Sequence, residues 1–335
     1  MTSTVDTEPI SIVFVGSGRV AVNLALGLTA VGHRVLGALV RDIHSDNARR
    51  FQHLAGPVAL LPINSLSGMH SSGIATDWLK TADALVISVS DGAIAEISKE
   101  LAAMLPQVVP NCAFHTSGSR DSEVLAPLRA SGLACASMHP LQTFTETSVS
   151  PQCFTGIAFG LDGDDQAVDL ATQWARQLGG YAIQVPAVQR PAYHAAAVLA
   201  SNAVLALLQV ATQLLPEAAK EQPDNPLLPL LQGALDNVRR MGLPQSLTGP
   251  IDRGDWKTVA IHLQTLKRNT TAYDVYLSLA VATVELAMTK GTLPQEQVGE
   301  RRQQLRQLLY HREPTHTSFF GGELLASSNN TDFFK

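Results

Sequence analysis

The sequence predicts an α/β fold, a Rossmann-like, mainly parallel sheet domain followed by an all-helical domain. Three observations predict it. An apolar strand, a glycine turn and a helix open the chain. Strand-like and helix-like segments then alternate to about residue 186, and beyond Pro186 the strand-like runs stop and long alanine- and leucine-rich helical stretches begin. Such alternation is the pattern of a parallel sheet with crossover helices.

The opening element reads Ile12-Val13-Phe14-Val15, then Gly16-Ser17-Gly18-Arg19-Val20-Ala21, then Val22-Asn23-Leu24-Ala25. Gly16 permits a tight turn and Gly18 lets backbone approach a pyrophosphate. Ala21 lets helix and strand pack closely, while free N–H groups at the helix start face the anion. The backbone from Gly16 through Ser17, Gly18 and Arg19 to Val20 is therefore expected to hold a dinucleotide. Further strands are expected at Arg34 to Val40, Ala84 to Ser88, Cys112 to His115, Leu133 to Met138, Gly156 to Leu161 and Tyr181 to Val185. Helices are expected between them at Gly92 to Met104 and Gln166 to Leu178.

The second domain is expected to hold helices at Pro191 to Leu215, Asn225 to Met241, Trp256 to Leu266, Ala272 to Lys290 and Gln295 to His311. The organisation is then 10–187 for the nucleotide domain, 188–312 for the helical domain, and a polar, poorly ordered tail at 313–335. From Ala195 to Leu215 there is no charged residue, nearly enough to span a bilayer. Ser201, Asn202, Gln209, Thr212 and Gln213 interrupt the run, so the expectation is a buried helix within a domain or dimer and no membrane partner.

Composition narrows the classes further. In 335 residues, 45% hydrophobic content is ample for a buried core, and a net charge of −5 without long basic runs argues against nucleic acid. The start, Met1 to Pro9, is polar and acidic rather than a secretory signal, which points to the cytoplasm. Cys112, Cys135 and Cys153 lack C-x-x-C spacing, so they read as reduced thiols with neither disulfide nor metal implied.

Cofactor choice is usually made at the end of the second strand, here Leu39-Val40-Arg41-Asp42. A guanidinium at Arg41 suits a 2′-phosphate, and Asp42 one place later is the competing signal for a ribose hydroxyl; NADP is favoured over NAD. Ser88, Val89 and Ser90 at the next strand end suit a crevice for the central part of the cofactor, and Asp91 is expected to cap the following helix.

Chemistry is expected at the carboxyl ends of the next two strands, the side on which open α/β sheets bind ligands. These end in His115-Thr116-Ser117-Gly118-Ser119 and in Met138-His139-Pro140-Leu141-Gln142. Hydride transfer to a carbonyl or imine needs a proton donor, and an unperturbed histidine titrates in the right range; His139 leads. His115 and Ser117 are placed at the cofactor, and Ser119 is placed to orient substrate. The helical domain opens with Tyr193-His194-Ala195-Ala196-Ala197-Val198-Leu199-Ala200-Ser201-Asn202. At about 100° per residue Ser201 lies along the helix from His194, with Asn202 on the flank of that face. Arg253, in the loop Thr248-Gly249-Pro250-Ile251-Asp252-Arg253-Gly254-Asp255, is suited to a substrate carboxylate, and Asp255 to capping the helix that follows.

Together, Gly16-Ser17-Gly18, His115 to Ser119, His139-Pro140-Leu141-Gln142, Tyr193 to Ala196 with Ser201-Asn202, and Thr248-Gly249-Pro250 with Arg253-Gly254-Asp255 are similar to one family. It is the uncharacterised family that joins a Rossmann-like NADP-binding domain to a helical domain of unknown function. The resemblance covers about residues 10 to 310. Its wider relatives are pyrroline-5-carboxylate reductases, ketopantoate reductases and prephenate dehydrogenases. It implies a homodimer whose helical domains pack together, with the active site between nucleotide domain and helices.

The pairing of Gly118-Ser119 with His139-Pro140 resembles the serine and histidine that prephenate dehydrogenases place around the substrate hydroxyl. Where hydroxyacid and ketopantoate enzymes carry a lysine and an asparagine, the similar helix here has His194 and Val198. The expected function is an NADP-dependent oxidoreductase for a small keto, hydroxy, imino or amino acid. The catalytic set is His139, His194, Ser119, Asn202 and Arg253. The alternative is a non-catalytic NADP-binding sensor or partner protein of the same fold.

Overall fold

The computed structural model describes residues 8–56, 58–63, 81–104, 110–146 and 149–310. The expected tail at 313–335 lies outside them. The described residues form two compact units that divide between Ala203 and Val204.

The first unit is built on one eight-stranded sheet in the order β3-β2-β1-β4-β5-β6-β7-β8. The strands are β1 Ser11–Val15, β2 Arg34–Val40, β3 Ala59–Pro62, β4 Ala84–Ile87, β5 Cys112–His115, β6 Ala134–Pro140, β7 Ala158–Gly163 and β8 Tyr181–Gln184. The first six pair in parallel, β7 runs antiparallel to β6, and β8 is parallel to β7. The mainly parallel Rossmann-like fold is as expected, with β3 and the reversal at β7 added. The helices of this unit are α1 Arg19–Ala30, α2 Asp46–Ala55, α3 Ile94–Met104, α4 Ala126–Ala130, α5 Asp165–Gln177 and α6 Arg190–Ala200, and α7 Asn202–Gln213 begins in it.

Both faces of the sheet are covered, and the alternation along β1 shows why its apolar run is continuous. Ile12 and Phe14 pack with Leu24 and Leu28 of α1, Phe51 of α2 and Trp174 of α5. Val13 and Val15 pack with Ile94 and Leu101 of α3 and Leu128 of α4. A strand buried on both faces has no polar side to show. The chain leaves β1 toward β2 on one side and later enters β4 on the other. The carboxyl ends of β1 and β4 thus flank the crevice where the strand order reverses, the place at which such sheets take ligands.

The second unit is helical, with α8 Glu217–Lys220, α9 Leu228–Met241, α10 Leu243–Ser246, α11 Trp256–Leu266, α12 Thr270–Lys290 and α13 Gln295–Tyr310. Its core joins Leu277, Ala280, Val284 and Ala287, one stripe at three- and four-residue spacing on α12, to Val259, Leu263 and Leu266 of α11 and to Val298 and Leu305 of α13. Asn269 starts α12 by accepting the Ala272 N–H, and Gly291, at φ 85°, ends it. Asp255 caps α11, as its sequence position suggested, by accepting the Thr258 N–H.

The apolar run from Ala195 to Leu215 departs from expectation. It is neither one helix nor buried within this chain. The segment Ala187–Gln213 is long and apolar enough to cross a membrane, yet none of its most apolar stretch is buried. Leu199 and Leu205 are about two-thirds exposed. At Ser201 the backbone leaves the helical region (φ −126°, ψ −84°), and the Ser201 hydroxyl bonds back to the Ala197 carbonyl at 2.7 Å. Back-bonding of this kind bends helices.

Candidate functional site

A cleft of about 770 Å³ opens at the crevice, lined by Gly16, Ser17, Gly18, Arg19, Val20, Arg41, Asp42, Ser88, Val89, Ser90, Asp91, Thr116 and Ser117 among others. Its floor depends on Gly16. That residue sits at φ 99°, where a side chain is strained, and a Cβ there would collide with the Ser88 carbonyl oxygen. Gly18 is the N-cap of α1 and makes no side-chain cap, and the space where its side chain would stand is open. The first N–H groups of α1 are consequently unclaimed by any cap and face a void, a ready anion site. These residues fit the pyrophosphate of a dinucleotide.

At the end of β2, Arg41 is exposed along the cleft. Asp42 also lines the cleft, and its carboxylate accepts the His44 N–H at 2.8 Å while its carbonyl accepts the Ser45 hydroxyl at 2.8 Å. Ser45 in turn caps α2. At the end of β4, Asp91 does not cap the helix it enters. Its carboxylate accepts a 2.6 Å bond from the Ser119 hydroxyl instead, which ties the β4 end to the loop after β5.

That loop is braced from beneath by His115. Its Nε2 lies 2.9 Å from the Asp121 carbonyl, to which it must donate, and its Nδ1 accepts the Ser117 N–H at 3.2 Å. The ring is fully buried and does not line the cleft, so contact with a cofactor is replaced by a structural role. Burial, opposed by the Asp121 bond, pushes its pKa down to about 4. Ser117 lines the cleft while its hydroxyl closes the turn, accepting the N–H groups of Ser119 and Arg120.

One residue beyond Ser117, the loop brings together two histidines that lie 55 positions apart in sequence. A Cβ on Gly118 would lie 2.7 Å from His194 Nδ1 and 2.8 Å from His139 Nε2. The two imidazoles stand edge to face with centroids 6.1 Å apart. His139 Nδ1 lies 3.0 Å from the Tyr193 hydroxyl, and His194 Nδ1 is buried without a hydrogen-bond partner among the described residues. Period-two alternation along β6 sends Ala136 and Met138 into the core on one side and His139 to the opposite face.

Beneath the cluster, the buried Arg190 guanidinium pairs with Asp162 and reaches the Ser117 and Gly160 carbonyls at 3.5 and 3.3 Å. Asp162 also accepts the Ser122 N–H at 2.8 Å. One buried ion pair thus anchors β7, the start of α6 and the Ser117–Ser122 loop together.

His139 does not keep the pKa of a free histidine. Burial pushes it down to about 4, with His194, Arg190 and His115 acting in the same direction and Asp91 opposing. At neutral pH the ring is neutral, so the expected role of an imidazolium titrating near 7 is replaced by that of a neutral imidazole.

The sign of the resulting pH dependence follows from linkage. The unfolded chain binds protons on His115 and His139 from about 6.5 downward, the folded protein only near 4, so stability falls as pH drops through that window. Between pH 7 and 5 the expected loss is roughly 2 kcal/mol per histidine. Urea unfolding at the two pH values checks it, and His139→Gln should remove about half of the drop.

Two expected residues remain, Asn202 and Arg253. Because the helix breaks at Ser201, the straight projection from His194 fails, and Asn202 is exposed at the start of α7 with no bond to either histidine. Arg253 belongs to the second unit and is exposed beside Asp252, which pairs with Lys290 at 2.9 Å. Tyr193, Arg190 and Asp162 were given no role from sequence, and Asp91 was given only that of a cap. For Arg190, the signal was a charged residue immediately ahead of an apolar helix.

Residues 1–140 match the Rossmann-like domain family, and residues 157–283 match DUF2520, a domain of unknown function. The chain joins a Rossmann-like domain to a DUF2520 domain. The DUF2520 match begins within the sheet, so it takes in all of β7 and β8 as well as helices.

Solved structures share this fold. A Thermotoga maritima protein is 24% identical, with a TM-score of 0.61 over 83% of this chain and 99% of its own. A Bacteroides fragilis protein assigned as an NADP oxidoreductase is 22% identical, with a TM-score of 0.63 over 82% and 98%. Plasmodium falciparum pyrroline carboxylate reductase, solved with NADP bound, is 12% identical, with a TM-score of 0.51 over 85% and 99%. No curated protein matches the sequence.

Proposed function

We propose that this protein is an NADP-dependent oxidoreductase that moves a hydride to or from a small keto, hydroxy, imino or amino acid. The observation that carries the reading is the continuity of the cleft. It runs from the glycine turn along Ser88 to Asp91 to Ser117, and the next residue, Gly118, is the one on which His139 and His194 converge. Gly16 to Val20 would hold the pyrophosphate, and Ser88, Val89 and Ser90 the central part of the cofactor. Bound there, the dinucleotide supplies the hydride. His139 would donate a hydrogen bond to the substrate atom that gains negative charge, the proton that completes the reduction would come from water, and Ser119, held by Asp91, would orient the substrate.

Fold likeness to proteins described as NADP-binding supports the cofactor class. The preference for NADP rests on the Arg41 guanidinium, exposed along the cleft, while Asp42, which lines the cleft as well, has one carboxylate oxygen engaged by the His44 N–H. Exposed leucines on α7 and α9, among them Leu205, Leu230 and Leu235, support a homodimer formed through the helical domain. Three free thiols suit the cytoplasm.

Two measurements test the reading. Reduced-nicotinamide absorbance, followed with a panel of small keto and imino acids, should show consumption with at least one class. NADP binding without turnover on any of them would favour a sensor that kept the cleft and lost the chemistry. Arg41→Ala should weaken NADP binding about 10- to 100-fold by losing a charge-assisted phosphate contact, and leave NAD binding nearly unchanged. Calorimetric titration with both nucleotides reads the difference, and equal losses for the two would remove Arg41 from the phosphate.

A further inference from the structure

We propose that Tyr193 is a positioning residue that holds His139 in the neutral tautomer carrying its proton on Nε2, so that the site presents a hydrogen-bond donor and not an acid. Among the described residues the phenol has one hydrogen-bond partner. Tyr193 Oη lies 3.0 Å from His139 Nδ1, and its ring meets the imidazole edge to face at a centroid distance of 5.6 Å. Of the two ways to share that bond, the phenol O–H is the stronger donor and the bare imidazole nitrogen the stronger acceptor. Burial raises the phenol pKa, opposed by Arg190, so the hydroxyl keeps its proton to give. With Nδ1 accepting, the ring proton resides on Nε2, the atom that points at Gly118.

Two further observations suit this arrangement. Gly160 on β7 has no side chain where one would stand 2.6 Å from the Tyr193 hydroxyl, so the strand surface makes room for the phenol. His194 Nδ1, buried and unpartnered, faces the same glycine as His139 Nε2. A donor and an unclaimed ring nitrogen therefore border one spot, where a carbonyl or hydroxyl group satisfies both. A buried polar atom without a partner is costly, and a ligand that supplies one relieves that cost.

What the donor acts upon rests on the oxidoreductase reading; the tautomer does not, and the test reads the tautomer alone. Full-length protein labelled with 15N-histidine is measured by solid-state NMR, with the His139 signals assigned by their loss in His139→Gln. The wild-type ring should show a protonated Nε2 and a bare Nδ1 from pH 8 down to about 5. Tyr193→Phe, which keeps the ring and removes the hydroxyl, should shift His139 toward the Nδ1-protonated form. Gly160→Ala, which displaces the phenol without removing it, should shift it the same way. A wild-type ring protonated on Nδ1, or ring-nitrogen signals unchanged in a folded variant, overturns the proposal. A wild-type ring protonated on Nε2 in a protein that turns over none of the keto or imino acids would count against the oxidoreductase reading instead.

Discussion

His139→Phe is expected to lower kcat/KM by about 10²- to 10⁴-fold while leaving dinucleotide affinity nearly unchanged. The ring is half-buried at the carboxyl end of β6, does not line the candidate nucleotide cleft, and its Nε2 borders the spot on Gly118. Phenylalanine preserves the aromatic contact with Tyr193 and removes the donor. His139→Gln separates the two possible chemistries. An amide N–H can stand in for a neutral imidazole donor but not for an imidazolium, so glutamine should retain roughly ten times more activity than phenylalanine if the ring acts while neutral. Steady-state kinetics of the two variants beside the wild type decide it, and equal losses would favour an acid that must give up a proton outright.

The second large effect falls on stability. Arg190→Leu removes the cation from a buried pair and leaves the Asp162 carboxylate with the Ser122 N–H as its remaining partner in the region. Breaking such a pair costs about 3–5 kcal/mol, because the surviving charge stays desolvated. For a unit of this size the first thermal transition should drop by roughly 10 °C. The double variant Arg190→Leu, Asp162→Leu should recover part of the loss, since an apolar pair carries no unpaired charge. Calorimetry of both variants checks this. A single variant as stable as the wild type would show that the pair does not anchor the Ser117–Ser122 loop.

What the sequence made legible follows from how local each signal is. The strand, turn and helix of residues 11–30 sit within one stretch, and Gly16, Gly18 and Ala21 each answer a local steric demand, so the cleft and its cofactor class could be read directly. The strands of the sheet were equally legible from their apolar runs, except β3. That strand is four residues long, half-buried and ends in Pro62, too short and too weakly patterned to stand out. The reversal at β7 left no local trace, because a strand buried on both faces reads the same in either direction.

The candidate site was legible in its parts and not in their assembly. His139 and His194 stood out as histidines at informative positions, but their meeting over Gly118 is a tertiary fact. The depressed pKa of His139 comes from burial and from His194 and Arg190, groups more than 50 positions away, so no local reading could supply it. Asn202 failed for the opposite reason: a helical projection assumes an unbroken helix, and Ser201 breaks this one. Asp91 likewise had a good local reading as a cap, overridden by the Ser119 hydroxyl from the next strand end.

The proposal stands or falls on the cleft at the β1 and β4 ends being a nicotinamide dinucleotide site that favours NADP. Its most direct test is a calorimetric titration of the wild-type protein with NADPH and NADH side by side. One site per chain is expected, filled more tightly by NADPH, with a preference that Arg41→Ala abolishes. Failure of both nucleotides to bind the folded protein would contradict it.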